Sequence, residues 1–395
     1  MTGVSPGPWL RTCALLAAAG AVLAAVSGEA HLGEAHRTIA ALAAPPLAAL
    51  LVSAWLAHRR LVPAVVASAA LFAAAAAFPG RATHTVFAAL ALAAILVVGV
   101  QSLAGERTAW GAWRDYVALT KPRIMSLLLV TGVCGMIAGA RGWPGTQTAL
   151  ATTIGLALAC GGASALNHVL DRDIDPLMGP RTKQRPVASG RVPASRALEF
   201  GLALSAVSFV LLASAVSLLT AALALAGNLF YVLVYTRWLK RTTPQNIVIG
   251  GAAGAVPPLV GWSAATGHLG IAAWILFTIV FVWTPPHFWA LALLIKERYA
   301  DAKVQMLPVV RGERETARQI VLYSVALLGV TLLPWAAGGA GPVYVVAALA
   351  LGGVFVWLAE RLRRETTPRR AALLFHYSLL YLALLFAALA LDLAL

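Results

Sequence analysis

The sequence predicts an all-α polytopic membrane protein of about thirteen spanning helices in two units, and three observations predict it. Of its 395 residues, 60% are hydrophobic and 11% are charged, where a soluble globular protein is about 25% charged. The apolar residues gather in runs long enough for spans of ~20 residues. Lipid accepts a backbone whose polar groups bond within the segment, so these spans read as helices, and no alternation suggests a barrel. Finally, the loops alternate in charge, and the alternation fits one orientation for the whole chain.

The spans in order are 9–28, 37–57, 62–79, 84–103, 123–140, 147–169, 198–215, 218–236, 247–264, 270–294, 317–337, 342–358 and 371–392. The first resembles a signal peptide, with Arg11 before an Ala/Leu run; it is read as an uncleaved span because the topology requires it. One set of loops holds His58 to Arg60, Arg107 to Arg123, Arg172 to Arg196, Arg237 to Arg241, Lys296 to Arg318 and Arg361 to Arg370. The other set (29–36, 80–83, 141–146, 265–269 and 338–342) has few cations. The positive-inside rule places the first set and the N-terminus in the cytoplasm, and the C-terminus outside. The net charge of +15 is thus explained by membrane topology, with no nucleic acid as partner. The expected location is a bacterial inner (plasma) membrane. Cys13, Cys134 and Cys160 are far apart and show no metal or disulfide spacing, so they read as packing residues.

A polar, Trp-bearing stretch near 104–122, with Trp110 and Trp113 at an interface, divides a four-span unit (1–110) from a nine-span unit (111–395). The acidic residues are sparse, and their placing is informative. Only 15 occur, and five of them (Asp171, Asp173, Asp175, Glu297 and Asp301) fall in two short clusters within basic loops. Asn167, Asp171 and Asp175 are spaced four apart. On a continuous helix such residues drift only ~40° and rise ~6 Å per step, so they share one face. An amide and two carboxylates on one face suit a hard divalent cation such as Mg²⁺, which in turn holds phosphate oxygens. Arg181, Lys183 and Arg185 follow, cations of the kind that grip a polyanion. The cluster reads as a diphosphate site at a membrane surface. Asp173 lies about 200° around from Asp171 and reads as a solvated neighbour or a partner for Arg172.

Several further segments carry a resemblance. They are Leu119-Thr-Lys-Pro-Arg123, Asn167-xxx-Asp171-xxx-Asp175-xx-Met178, and Arg181-Thr-Lys-Gln-Arg185-Pro. Next come Tyr235-Thr-x-x-Leu-Lys240-Arg and Asn246-Ile-Val-Ile-Gly-Gly-Ala-Ala-Gly-Ala-x-Pro-Pro258. Pro286-His-Phe-Trp-Ala-Leu-Ala292 and Met306-Leu-Pro-Val-Val-x-Gly312 complete the set. On these residues the nine-span unit resembles the UbiA-type intramembrane prenyltransferases, and within them the protoheme IX farnesyltransferase (heme O synthase) branch. The resemblance implies a nine-helix bundle and a reaction. Farnesyl diphosphate loses pyrophosphate, a vinyl group of heme B attacks the allylic cation, and water quenches the product cation.

It also implies roles. Asn167, Asp171 and Asp175 would bind a first Mg²⁺, and Arg181, Lys183, Arg185 and Lys240 would hold the diphosphate. Glu297 and Asp301, again four apart, would bind a second Mg²⁺ or else form a solvated helix end. Tyr235 would reach the diphosphate or anchor at the interface. His287 would face the heme or serve as a hydrogen-bonded packing residue. Lys121 and Arg123 are candidates for the porphyrin propionates. The sequence departs from the family pattern at three places: an extra residue between Met178 and Arg181, Arg298 where an acid is usual, and Gln305 where Pro is usual. The run Gly250 to Gly254 lies inside a span and reads as close helix packing rather than a phosphate loop.

In the N-terminal unit the second span is preceded by His36 and the fourth begins at His84. By the topology both lie at similar depth on the external side, where a bis-histidine heme could sit, and the pattern resembles half of a heme A synthase. A structural extension with interfacial histidines is the other reading. Docking of a heme A synthase or of terminal oxidase assembly proteins is the partner expectation, with the lipid bilayer as surroundings. Two other functions compete: prenylation of a quinone precursor or other aromatic acceptor, and transport. The heme-branch motifs argue against the first. The lack of an internal repeat, and carboxylates at the cytoplasmic edge rather than the midplane, argue against the second.

Overall fold

A computed structural model describes residues 112–393. The first four predicted spans, with His36 and His84, lie outside the described residues. A short helix, Trp113–Leu119, leads in, and its Trp113 is 71% exposed, as suits an interfacial aromatic. Nine helices long and apolar enough to cross a membrane follow among the described residues. They are α1 (Pro122–Ala140), α2 (Thr146–Leu170), α3 (Ala194–Ala215), α4 (Leu218–Thr242) and α5 (Asn246–Thr266). The rest are α6 (Ile271–Leu294), α7 (Gly312–Ala336), α8 (Pro342–Arg364) and α9 (Pro368–Asp392).

Each predicted span of the nine-span unit has its helix, but several helices run further into the loops than hydropathy alone indicates. α7 starts at Gly312 with Glu313 and Glu315 in its first turn, and α8 ends on Arg361, Arg363 and Arg364. Acids at a helix N-terminus and cations at a C-terminus favour the macrodipole, so the charged turns prolong the helix beyond its apolar stretch.

Neighbours in sequence pack as neighbours in space from α1 to α9, and α9 returns to α1 to close the bundle. α1 also packs closely on α5. A Cβ on Gly261 of α5 would collide with the carbonyl oxygen of Gly132 on α1, so only glycine permits this approach. Buried hydroxyl and amide groups link helices elsewhere. Ser208 on α3 donates to the Gly155 carbonyl at 2.6 Å, and Asn228 on α4 donates to the Ala159 carbonyl at 3.0 Å. At the end of α9 the carboxylate of Asp392 accepts from the backbone N–H groups of Gly341, Val343 and Tyr344, capping α8.

Two local features position the site. α4 changes from α-helix to π-helix over Phe230–Leu239, a winding often found at functional sites. α5 and α6 each carry a proline pair, Pro257–Pro258 and Pro285–Pro286, which frees carbonyls one turn earlier. Because successive helices reverse direction, the C-terminal ends of α2, α4 and α6 meet at one end of the bundle.

Candidate active site

α2 ends at Leu170, and Asp171 is its C-cap residue. The continuous helical face expected across Asn167, Asp171 and Asp175 is therefore corrected: Asp175 lies in a turn beyond the helix. The spacing survives because the turn keeps the same hydrogen bonding. Asp171 N–H donates to the Asn167 carbonyl and Asp175 N–H to the Asp171 carbonyl, each at 2.9 Å.

Asp171, 1% exposed, and Asp175, fully buried, each meet a cation. Lys240 Nζ lies 2.6 Å from Asp171 Oδ2, and Arg185 Nη1 lies 2.6 Å from Asp175 Oδ1. Asn167 links the group to two other helices. Its amide nitrogen donates to Asp171 Oδ2 at 2.8 Å and to Thr236 Oγ1 on α4 at 3.2 Å. Its oxygen accepts from Lys121 Nζ at 2.8 Å. Lys121 adopts a left-handed backbone, φ 51° and ψ 60°, a conformation that costs a non-glycine residue on the order of 1–3 kcal/mol. That strain turns the chain into α1 at the point where the lysine reaches Asn167. Burial and the neighbouring Arg185 bring the Lys121 ammonium down to about 7. Burial also raises the Asp175 carboxyl above the usual carboxylate range, against the pull of Arg185.

Asp171 Oδ1 and Asp175 Oδ2 are buried and accept no hydrogen bond. A buried carboxylate oxygen without a partner carries a desolvation cost, and two such oxygens are hard donors of the kind suited to Mg²⁺, whereas the Asn167 amide oxygen is engaged by Lys121. No group of three or more His, Cys, Asp or Glu gathers closely enough to hold a metal ion among the described residues.

The other expected residues fall around this centre. Arg181 and Lys183 stand exposed on the short helix Pro180–Lys183, with no acid among the described residues paired to them. Arg123 is exposed. Glu297 and Asp301 are exposed on the short helix Lys296–Asp301, whose Tyr299 is buried; burial pushes the Tyr299 hydroxyl up to about 12. The extra residue before Arg181 adds Gly179, with φ 102°. A Cβ there would lie 3.2 Å from Arg298 Cδ, so two of the departures from the family pattern touch each other. Tyr235 lies inside the bundle, stacked on Tyr231 at 5.5 Å and seated over Gly250, where a Cβ would collide with its ring. Gly251 packs on Thr284, and Gly254 meets nothing within 4 Å. His287 lies among Trp283, Phe375 and Ser378.

The structure thus gathers Lys121, Asn167, Asp171, Asp175, Arg185 and Lys240, while Arg123, Arg181, Lys183, Glu297 and Asp301 stay exposed around them. Asp173 is solvated as expected, its side chain 58% exposed, and its partner is Arg241 rather than Arg172, donating to both carboxylate oxygens at 2.6 and 2.7 Å. This holds the Asp173 carboxyl at about 2. Sequence reasoning missed Thr236, Tyr231 and Tyr299. Thr236 follows Tyr235 within a quoted motif, and it meets Asn167 from within the π-helical stretch of α4.

Comparisons with known proteins bear on the family and the fold. The UbiA prenyltransferase family matches over residues 128–389. A protein named protoheme IX farnesyltransferase from Symbiobacterium thermophilum is 54% identical over 281 residues, 71% of this chain and 94% of that one. One of the same name from Roseiflexus sp. (strain RS-1) is 48% identical over 368 residues, 93% of this chain and 63% of that one. One from Thermus thermophilus is 50% identical over 285 residues, 72% and 47%. The chain thus spans less than two thirds of the Roseiflexus and Thermus relatives.

Among solved structures, a digeranylgeranylglyceryl phosphate synthase aligns with TM-score 0.60 at 17% identity, covering 71% of this chain and 98% of that one. A UbiA homolog from Archaeoglobus fulgidus bound to GPP and Mg²⁺ aligns with TM-score 0.56 at 18% identity, covering 70% and 99%. At that identity they show the fold alone. With the family matched over more than half its length, the chain belongs to the UbiA prenyltransferase family.

Proposed function

We propose that this chain transfers the farnesyl group of farnesyl diphosphate to a vinyl group of protoheme IX (heme B), with addition of water, giving heme O and diphosphate. The observation that carries the reading is the pair of buried, unpartnered oxygens on Asp171 and Asp175 beside Lys240, Arg185 and Lys121. The choice of acceptor rests on the relatives, above all the Symbiobacterium protein matched over nearly its full length.

Asn167, Asp171 and Asp175 would hold Mg²⁺, which when bound neutralises charge on a leaving diphosphate. Lys240, Arg185 and Lys121 surround the same centre, and Arg181 and Lys183, exposed on the short helix Pro180–Lys183, would add to the hold on the diphosphate. As the carbon–oxygen bond breaks, its electron pair goes to the diphosphate, so fixed cations stabilise the transition state more than the ground state. The apolar helices keep water from the allylic cation until the vinyl carbon has attacked. The positive-inside rule favours a cytoplasmic side for these residues and the N-terminus, in a bacterial inner membrane. Glu297 and Asp301 would serve a second Mg²⁺, with their short helix already resting Arg298 against Gly179.

For the N-terminal unit we propose a bis-histidine heme held by His36 and His84, beside a docked heme A synthase or oxidase assembly protein. Its support is the similar depth of the two histidines in the predicted topology; the Roseiflexus match, at 368 residues longer than 111–395, enters that unit. The test of the main reading is turnover of purified protein with heme B, farnesyl diphosphate and Mg²⁺, products being analysed by mass. Heme O from the wild type, and none from Asp171→Asn or without metal, is expected. Prenylation of a different aromatic acceptor in place of heme B would overturn the acceptor.

A further inference from the structure

The short helix Lys296–Asp301 is tied down on two sides. Lys296 Nζ lies 3.1 Å from Glu313 Oε1 at the start of α7, and Tyr299 is buried, 7% exposed. The charges of Arg185 and Asp171 both act on the Tyr299 hydroxyl, so this helix runs along the rim of the acidic centre. Arg298 stands beside Tyr299 on that rim.

An exposed arginine on a helix can take an acid three or four residues away. Asp301 stands three residues on and Glu297 is the preceding residue, yet Arg298 pairs with neither, nor with any other acid among the described residues. Its stem lies instead against Gly179. A Cβ on that glycine would come within 3.2 Å of Arg298 Cδ and 3.3 Å of its Nε, and the φ of 102° is one that side chains rarely adopt. The added residue thus offers the arginine bare backbone to rest on, four residues beyond Asp175. Gly179 leads into the short helix of Arg181 and Lys183, both exposed and without an acid among the described residues. Three cations therefore reach the rim from two loops with no counter-charge of their own. The positive-inside rule accounts for cations in these loops. It does not account for an arginine that leaves the acids of its own helix to lie against a neighbouring loop. Like charges gathered in this way repel, and a polyanion seated among them removes the repulsion.

We propose that Arg298 is a further diphosphate-binding residue, whose guanidinium donates to the prenyl diphosphate and joins the 179–183 segment to the 296–301 helix across it. The inference rests on the acidic centre holding a prenyl diphosphate. The planar fork can meet two phosphate oxygens at once. Unlike Lys240 and Arg185, Arg298 has no carboxylate to give up before it does so. No bond is made or broken at the guanidinium, which keeps its charge throughout.

The test is calorimetric titration of the full-length protein, in detergent without anionic lipid and with saturating Mg²⁺, using inorganic pyrophosphate and a non-hydrolysable farnesyl diphosphate analogue. Arg298→Ala should weaken both at least about tenfold. Arg314→Ala, which removes an exposed cation from the first turn of α7, should stay within about twofold of wild type. Arg298→Lys keeps the charge and loses the fork, and should fall between wild type and Arg298→Ala. Thermal midpoints of the unliganded Arg298 variants should match the wild type, since the arginine makes no ion pair that folding would lose. Gly179→Ala should weaken binding in the wild type and add nothing in Arg298→Ala, because the glycine acts through the arginine. Bound Mg²⁺ per protein at saturating analogue should be unchanged by Arg298→Ala. Wild-type affinity in Arg298→Ala, an equal loss in Arg314→Ala, a large fall in the unliganded midpoint, or a lost metal ion would each overturn the assignment while leaving the diphosphate site in place. A wild type that binds neither pyrophosphate nor the analogue would overturn the site and the arginine together.

Discussion

Replacing Lys240 by Met removes the ammonium beside Asp171 and keeps most of the apolar stem. In the native protein the two charges are 2.6 Å apart and almost fully buried. At an effective dielectric of 20, that separation corresponds to roughly 6 kcal/mol of attraction. Part of it offsets the cost of burying the ammonium, and pairs broken in this way typically destabilise by about 3–5 kcal/mol. The carboxyl also has an escape. Protonating an ordinary aspartate at pH 7 costs about 4 kcal/mol, which caps the loss. Asn167 remains as one neutral donor on Oδ2. The expected result is a thermal midpoint several degrees below wild type without divalent cation, followed by tryptophan fluorescence in detergent. Millimolar Mg²⁺ should recover most of that loss while moving the wild type little, because the metal replaces the missing positive charge. Equal Mg²⁺ shifts in both proteins, or no loss of stability at all, would refute the view that Lys240 neutralises a metal-binding carboxylate.

Three further outcomes are expected. Gly250→Ala drives a methyl into the Tyr235 ring, so turnover should fall by about tenfold or more through displacement of that ring, while Gly254→Ala, with nothing within 4 Å, should behave as wild type. Asp392→Ala strips the α8 N-terminus of its carboxylate and should cost about 1–2 kcal/mol, seen as a lower unfolding midpoint with turnover at 25 °C unchanged. Chelating divalent metal should abolish heme O formation in the turnover assay, and added Mg²⁺ should restore it.

Much of this was legible in the sequence because lipid imposes simple rules. Hydropathy and loop charge gave the nine described spans, and the spacing of Asn167, Asp171 and Asp175 gave the acidic centre. What they could not give is set by packing between distant segments. That Asp173 turns to Arg241, 68 residues away, depends on how α4 meets α2. The π-helical winding of α4 leaves no mark in hydropathy, yet it faces Lys240 toward Asp171 and Thr236 toward Asn167. Ser378 is one serine in an apolar run, and only the meeting of α6 with α9 joins it to His287. The contact between Gly179 and Arg298 was equally hidden: each read as an isolated departure, and the fold makes them neighbours.

The pairing of each acid with a cation also bears on the order of binding. Asp171 and Asp175 are balanced by Lys240 and Arg185, with Lys121 close by. A buried carboxylate in a membrane protein needs such balance while the site is empty. A divalent cation arriving alone would add two positive charges to a centre already neutral or positive, and would have to displace or share Lys240. A diphosphate arriving alone would find cations already engaged. Together they bring nearly compensating charge, so the carboxylates can turn to the metal while Lys240 and Arg185 turn to the phosphates. Binding should therefore be strongly synergistic. Calorimetric titration of Mg²⁺ into the wild type should show weak binding without ligand and binding at least about tenfold tighter with a non-hydrolysable farnesyl diphosphate analogue, a coupling of ~1.4 kcal/mol or more. Linkage requires the analogue to gain the same factor from the metal. In Lys240→Met the synergy should shrink, since the metal then meets a carboxylate without a competitor. Equal Mg²⁺ affinity with and without the analogue would mean that the ion pairs are structural braces, and that the diphosphate is held elsewhere.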